Sequence, residues 1–255
     1  MLAIERLRRI EELLKENGSV VISNLSTSLN VSEETIRRDL EKIGKTMKIK
    51  RVRGGAFLPA TTDNEVPIKI RETIYLEEKQ LIGARCVELL EDGMSVMLDS
   101  STTSWYVAKN IEQSQKKITV ITNSLLIASE FSESKNVKVI AVGGLLRKST
   151  NSFVGYMATD ALEKLSADLA FVSCTAITKG FGATDNHEGE ARIRKTMLKQ
   201  SVKKVMIVDY TKFDSPSVNP ICKIKELDLI VTDRQVPKDM QTVFKEQDVD
   251  VLVCK

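Results

Sequence analysis

The chain has 255 residues, of which 42% are hydrophobic and 29% are charged, so it can form one large or two modest folded domains and does not have a disordered composition. It has no apolar run of about 18 residues, which excludes a membrane-spanning helix. Its first residues lack a secretory signal pattern, so we expect a cytoplasmic location. Its four cysteines are scattered and His187 is its single histidine, so we expect no metal site, disulfide framework or cofactor.

Positive charge is concentrated near the N-terminus. Residues 1–55 carry 12 lysines and arginines against 8 acidic residues, whereas the rest of the chain is nearly balanced. Between Arg37 and Arg53, eight basic residues accompany only two acidic ones. Such a segment indicates a polyanionic partner for this end of the chain, although a solvated basic helix would show the same run.

The first 46 residues have the pattern of three helices. Apolar side chains at helical spacing over 4–14, followed by Gly18, predict the first helix, and a short second helix is predicted over 22–29. Asn30 tolerates the left-handed backbone of a tight turn, and Ser32 is a suitable N-cap for a third helix. The apolar stripe of that helix, which leaves its arginines outward, consists of Ile36, Leu40 and Ile43.

Residues 47–58 alternate apolar and basic side chains around two glycines, which predicts a basic β-wing able to contact phosphates or the minor groove. Helix, turn, capped helix and wing in this order predict a winged helix-turn-helix DNA-binding domain over residues 1–58. The string Val31-Ser32-Glu33-Glu34-Thr35-Ile36-Arg37-Arg38-Asp39-Leu40, followed by Arg51-Val52-Arg53-Gly54-Gly55-Ala56, resembles the N-terminal signature of the DeoR family of bacterial repressors of sugar catabolism.

The resemblance implies that the third helix meets the operator and that the wing grips the DNA backbone. Asp39, in the middle of this signature, is interpreted as a structural residue that braces an arginine. The candidate DNA-binding residues are Thr35, Arg37, Arg38, Lys42, Lys50, Arg51 and Arg53.

Small and polar residues from Pro59 predict a linker over 59–75. From residue 76 to 255, helical patterns alternate with short apolar, β-branched runs, which predicts an α/β domain of buried parallel strands with helices on both faces. Helices are predicted at 76–90, 103–111, 124–131, 156–165 and 188–201. Strands are predicted at 96–98, 118–122, 137–142, 169–174, 204–208, 229–231 and 249–253.

Polar or small residues follow most of these strands, and ligands of open α/β sheets bind beyond the carboxyl ends of the strands. Asp99–Thr103 places hydroxyls at a helix start, where free N–H groups favour an anion, although such clusters also simply cap helices.

This segment is similar to the family's D-x-G-[ST]-T phosphate loop, with Ser101 at the usual glycine. Residues 180–195 and 209–213 also resemble effector-facing family segments. The resemblance implies a ribose-phosphate-isomerase-like (Rossmann-like) sensor domain for sugar phosphates. The candidate effector-binding residues are Asp99, Ser101, Thr102, Thr103, Asn123, Gly143, Gly144, Glu190 and Lys212.

The alternative function is a sugar-phosphate isomerase or deaminase with an appended DNA-binding arm. Such chemistry needs a general base, and the acids that enzymes of this fold carry are missing from residues 174–177. Glu190 can instead accept hydrogen bonds from a bound sugar. A constitutive DNA-binding protein fits poorly with the many polar groups at strand ends. We therefore predict a repressor, not an enzyme, that binds double-stranded operator DNA as a homodimer or homotetramer and releases it on binding a phosphorylated sugar.

Overall fold

The computed structural model describes residues 2–59, 65–213 and 215–254. The chain divides into two compact units, Met1–Leu76 and Glu77–Lys255. The elements of the first unit are α1 (Ala3–Asn17), β1 (Ser19–Val21), α2 (Ile22–Leu29), α3 (Glu33–Thr46), β2 (Lys50–Val52), β3 (Gly55–Phe57) and α4 (Ile68–Arg71).

The three predicted helices of the first unit are confirmed. Their apolar stripes meet in one core, whose fully or almost fully buried members include Ile10, Leu14, Ile36, Leu40 and Ile43. The turn between α2 and α3 is also as predicted. Asn30 has the left-handed φ of 51°, and the Oγ of Ser32 accepts the N–H of Thr35 at 3.2 Å.

The wing is confirmed as the antiparallel pair β2–β3, and β3 also pairs with β1, a strand that the sequence pattern did not predict. Gly55 makes this arrangement possible because a Cβ at that position would lie 2.2 Å from the carbonyl oxygen of Val20. β1 and β3 can therefore approach each other at this position only because β3 has no side chain there.

The segment predicted as a linker is in part folded. Residues 60–64 of that prediction lie outside the described residues, but Ile70 of α4 is fully buried against Val21 and Phe57. The first compact unit accordingly extends to Leu76, beyond the predicted end of the DNA-binding domain at residue 58. The unit extends further because two isoleucines of α4 are buried in it. The sequence did not predict α4, because a single helical turn is too short to show helical periodicity.

The second unit is an α/β domain. Its helices are α5 (Leu76–Val87), α6 (Thr102–Ser114), α7 (Leu125–Glu130), α8 (Tyr156–Glu163), α9 (Glu188–Lys199) and α10 (Lys238–Glu246). Its strands are β4 (Ser95–Leu98), β5 (Ile118–Thr122), β6 (Val137–Ala141), β7 (Leu145–Arg147), β8 (Ser152–Val154), β9 (Ala167–Val172), β10 (Ala176–Thr178), β11 (Gly182–Asp185), β12 (Ser201–Val208), β13 (Asn219–Cys222), β14 (Leu229–Thr232) and β15 (Asp250–Val253).

The seven predicted strands form, within the described residues, one parallel sheet in the order β15-β14-β12-β9-β4-β5-β6. The sheet is buried on both faces, as its apolar runs predicted. Val96 and Leu98 of β4 pack with α5, α6 and α7, whereas Met97 packs on the opposite face with α8, α9 and α10. The five predicted helices are confirmed, and the fold prediction of an N-terminal winged helix-turn-helix followed by a parallel α/β domain holds.

The strand order reverses at β4, which positions the candidate site. From β4 the chain proceeds outward to β5 and β6, and then returns to place β9 on the other side of β4. A crevice at the carboxyl ends of two strands that diverge in this way is the usual ligand position of an open α/β sheet. The segments that meet at this crevice are residues 99–103 after β4 and residues 173–175 after β9.

Three features of the second unit were not predicted. The hairpin β7–β8 and the small antiparallel sheet β10-β11-β13 consist of strands of three or four residues, and α10 is a short amphipathic helix. Helices among the described residues are all too short or too polar to span a bilayer.

Candidate functional site

The segment Asp99–Thr103 connects the carboxyl end of β4 to the N-terminus of α6. Ser101 is the N-cap, with the extended φ of −71° that any residue adopts, so a side chain at the family's usual glycine position causes no backbone strain. Its Oγ accepts the N–H of Ser104 at 3.0 Å. The N–H groups of Thr102 and Thr103 have no carbonyl partner within the helix, because the first turn of any helix leaves its donors unused. Together with the helix dipole they can bind an anion.

The carboxylate of Asp99 holds this segment in place. It is fully buried and accepts the Oγ of Ser101 at 2.7 Å and the N–H of Ser173, which follows β9, at 3.2 Å. The Nε of Arg194 donates to its second oxygen at 2.6 Å. Asp99 was predicted to contact the effector, but its oxygens are occupied by protein donors. Its role in this geometry is to join the two segments that form the crevice.

Arg194 is the cation of a buried triad. Besides Asp99 it donates through Nη1 to the carboxylate of Asp185, which ends β11. Burial alone would lower the pKa of Arg194, but the charges of Asp185 and Asp99 outweigh burial and raise it well above its ordinary value. Two carboxylates near the crevice are therefore paired with one permanently charged guanidinium.

Glu190, also predicted to contact the effector, lies in the first turn of α9 with only 1% of its surface exposed. Its Oε2 accepts the hydroxyl of Ser100 at 2.8 Å, and its Oε1 accepts the hydroxyl of Ser152 at 2.5 Å. Burial would raise the pKa of Glu190, but the charge of Arg194 and these hydroxyls outweigh it and hold the pKa below its ordinary value. Glu190 is therefore an ionised side chain that bridges the segment Asp99–Thr103 to β8.

The remaining predicted residues line neighbouring strand ends. Asn123 follows β5 and is fully buried. Its Nδ2 donates to the carbonyl of Phe153, while its Oδ1 has no hydrogen-bond partner among the described residues. Gly144 follows β6, and a Cβ there would lie 2.8 Å from the carbonyl of Val154, whereas one at Gly143 would meet open space. The two glycines therefore differ, since only Gly144 is required for packing.

Lys212 ends a short 3₁₀ turn, Tyr210–Lys212, after β12. It is partly exposed and makes no ion pair with any described residue. β12 lies parallel to β9 and next to it, so Lys212 follows a strand whose carboxyl end neighbours the carboxyl end of β9. Lys212, which has no counter-ion in the described part of the chain, thus lies at the same edge of the sheet as the N-terminus of α6.

The candidate DNA-binding face lies on the outer side of α3. Arg37 and Arg38 have side chains exposed by 53% and 72%, and each forms an ion pair with a glutamate one turn earlier. Arg37 Nη2 lies 2.6 Å from Glu33, and Arg38 Nε lies 3.1 Å from Glu34. Thr35 is half-buried and its Oγ1 shares a hydrogen bond with the capping serine.

Basic residues of α3 and the wing extend this face. Arg51 pairs with Glu41 at 2.9 Å, and the guanidinium of Arg53 lies 4.3 Å from the ring centre of Tyr75. Lys42 and Lys50 are exposed and make no ion pair with any described residue. Each of these arginines therefore contacts a side chain of its own unit, while the two lysines are available to phosphates.

Asp39 is the structural residue that the sequence predicted. It is buried, and its Oδ2 accepts the Nε of Arg6 from α1 at 2.5 Å. The arginine that it braces is thus not one of the outward-facing arginines of its own helix but one from α1. This bond fixes α3 relative to α1.

Several residues of the crevice were not predicted from the sequence. Ser100, Asp185 and Arg194 lie inside motifs that the sequence singled out, but nothing local indicated that they would bond to one another. The partners of Glu190 on β7–β8, Ser152 and Thr150, had no sequence signal at all.

The comparisons with known proteins agree with this architecture. Residues 6–62 match the model of the DeoR-like helix-turn-helix domain, and residues 75–234 match that of the DeoR C terminal sensor domain. The chain is 34% identical to the uncharacterized HTH-type transcriptional regulator YulB of Bacillus subtilis, over 91% of this chain and 90% of the relative. It is 31% identical to the transcriptional repressor GlcR of the same organism, over 98% and 96%. An L-fucose operon activator of Haemophilus influenzae is 27% identical, over 94% and 96%.

Among solved structures, ribose 5-phosphate isomerase A of Methanocaldococcus jannaschii is similar with 14% identity, a TM-score of 0.41 and coverage of 55% of each chain. A helix-turn-helix unit followed by a sensor domain defines a ligand-responsive, DNA-binding transcriptional regulator. The chain belongs to the DeoR family of such regulators. Members of this family are transcription factors and not enzymes, as predicted.

Proposed function

We propose that the protein represses a carbohydrate-utilisation operon and that a phosphorylated sugar, bound at the carboxyl edge of the parallel sheet, releases it from its operator. The observation that carries the proposal is the N-terminus of α6 at the point where the strand order reverses. Thr102 and Thr103 offer N–H groups there, and Lys212 supplies positive charge near the adjacent strand end. GlcR, a relative over nearly the whole chain, is a repressor.

The phosphate of the ligand binds the N–H groups of Thr102 and Thr103, with Lys212 as the charge partner, while Ser101 caps the helix and donates to Asp99. Asn123 offers its buried Oδ1 to a sugar hydroxyl, because an acceptor without a partner is costly unless a ligand supplies the donor. Gly143, where a Cβ would meet open space, leaves room for the ring, and Gly144 lets the neighbouring backbone pack closely beside it. Asp99 and Glu190 shape the site through the loop and the hairpin that they hold.

On the DNA side, Thr35, Arg37, Arg38 and Lys42 face base edges in the major groove, and the wing residues Lys50, Arg51 and Arg53 contact phosphates. A single winged helix-turn-helix contacts too few base pairs for useful specificity, so the protein binds as a dimer or tetramer on a repeated or palindromic operator.

The test is a thermal-shift screen of phosphorylated sugars, each compared with its unphosphorylated form. A ligand that raises the melting temperature only when phosphorylated supports the proposal, and Lys212→Met should abolish most of that increase. Lys204→Met, which removes a lysine from the middle of β12, is the matched control. The stabilising sugar should also release operator DNA in a gel-shift titration. Equal stabilisation by the unphosphorylated sugar contradicts the phosphate site, and tighter operator binding contradicts induction.

A further inference from the structure

The hydroxyl of Ser100 occupies a special position in the crevice. It precedes Thr102 by two residues, so their Cα atoms are at most about 7.6 Å apart. It is 2% exposed, and its proton goes to Glu190 Oε2 at 2.8 Å. A serine hydroxyl has a single proton to donate, so Ser100 cannot serve Glu190 and a second anion at the same time.

The other oxygen of Glu190 holds the β7–β8 hairpin. Ser152 donates to Oε1 at 2.5 Å, Thr150 Oγ1 lies 3.0 Å from it, and the Nη1 of Arg147 lies 3.6 Å away. All of these hairpin side chains are buried. The carboxylate of Glu190 therefore connects the phosphate loop to the β7–β8 hairpin. Local sequence patterns gave no indication of this connection.

Resting on the phosphate site of the proposed function, we propose that Ser100 is the residue that transmits phosphate occupancy to the β7–β8 hairpin, because phosphate and Glu190 compete for its one proton. When phosphate takes the proton, Glu190 Oε2 becomes a buried anionic oxygen without a donor and faces a second negative charge. Both effects are costly in a buried environment. The carboxylate then reorients, and its hold on Ser152 and Thr150 weakens.

The hairpin carries this change to the surface of the unit. Leu145, on its first strand, is 72% exposed. The hairpin remains anchored through backbone bonds, in which the N–H of Phe153 donates to Asn123 and the N–H of Leu125 donates to Asn151. The expected response is therefore a local loosening of residues 145–154 and not detachment of the hairpin.

The experiment measures hydrogen–deuterium exchange of the peptide 145–154 in the full chain, with and without saturating inorganic phosphate, against chloride of equal ionic strength. In the wild type, phosphate should speed exchange about two- to tenfold, the range that corresponds to one net hydrogen bond. Ser100→Ala should exchange faster already without phosphate and should respond no further when phosphate binds. Ser201→Ala, which removes a buried hydroxyl at the start of β12, at the opposite edge of the sheet from the crevice, is the matched control and should behave as the wild type.

Phosphate binding is measured separately by calorimetry, so the two proposals fail differently. If phosphate binds but the exchange of residues 145–154 is unchanged in the wild type, the role of Ser100 is refuted and the phosphate site stands. If phosphate does not bind, the phosphate site is refuted, and with it the competition. Equal exchange of unliganded Ser100→Ala and wild type refutes the connection through Glu190 in either case. If Ser100→Ala does not fold, Ser100→Cys replaces it, because a thiol of similar size is only a weak hydrogen-bond donor, and the same outcomes are expected for it.

Discussion

Replacement of Arg194 by methionine tests whether the buried triad organises the crevice. The substitution keeps an unbranched apolar side chain but leaves Asp99 and Asp185, with side chains exposed by 0% and 4%, without their shared cation. Removing one partner of a buried ion pair typically costs about 3–5 kcal/mol. A domain of this size loses about 2–4 °C of melting temperature per kcal/mol, so the second unit should melt about 6–20 °C lower.

Trp105, the single tryptophan of the chain, lies on α6 in the second unit, so its fluorescence follows the unfolding of that unit alone. The matched control is Arg192→Met on α9, the helix that carries Arg194. Arg192 pairs with Glu188 at 3.1 Å, but the two side chains are exposed by 59% and 76%, and such surface pairs contribute less than about 1 kcal/mol.

Neutralising one orphaned carboxylate should recover part of the loss, so Arg194→Met/Asp185→Asn should melt above Arg194→Met. Equal melting temperatures for the two methionine variants would show that the triad does not hold the crevice together. Such a result would also remove the basis for assigning Asp99 a supporting role.

Three further predictions concern the DNA-binding unit and the pH dependence of stability. Arg38→Ala should weaken operator binding by about 1–3 kcal/mol and reduce the preference of the protein for the operator over random DNA. Lys50→Ala should instead weaken binding to both DNA sequences equally and flatten the salt dependence of binding. Gel-shift titrations at several salt concentrations distinguish the two variants. Gly55→Ala should destabilise the first unit by about 1–3 kcal/mol, because the added Cβ meets the backbone of β1. Gly44→Ala in α3 should not destabilise this unit, because the Cβ there makes only ordinary contacts. Urea unfolding followed by circular dichroism measures the stability of both variants. The pKa of Glu190 is held below its ordinary value of 4.5, so its ionised form stabilises the fold above about pH 4.5, and this stabilisation is lost as the pH falls through the lowered pKa. Glu190→Gln should therefore lose less stability than the wild type between pH 6 and 3 in Trp105-monitored urea unfolding, and parallel curves would contradict the lowered pKa.

The sheet could be predicted from the sequence because its strands are buried on both faces. Such strands appear as short apolar runs, and the runs at 118–122 and 204–208 match β5 and the second half of β12. The hairpin β7–β8 could not be predicted, since three-residue strands with mixed polar and apolar side chains have no clear period. β1 escaped for the same reason.

The crevice was predictable in position but not in detail. Asp99–Thr103 was located because a strand end and a helix start are local features of the sequence. The bond between Asp99 and Arg194 joins residues 95 positions apart, and the bond between Ser100 and Glu190 spans 90 positions. Local patterns carry no information about such pairs, and for this reason two carboxylates expected to meet the effector are instead occupied by protein donors.

The glutamates beside the arginines of α3 affect how the protein searches a genome. Arg37 and Arg38 are each neutralised by their own helix, through Glu33 and Glu34, before any DNA arrives. A phosphate of non-operator DNA must displace the glutamate carboxylate from the arginine. The two negative charges then lie close together and repel each other. Only a site that offers well-aligned acceptors on base edges compensates for the exchange. If α3 contacts DNA as proposed, we expect the two glutamates to lower the affinity for the vast excess of non-operator DNA more than the affinity for the operator, and so to increase selectivity without contacting a base.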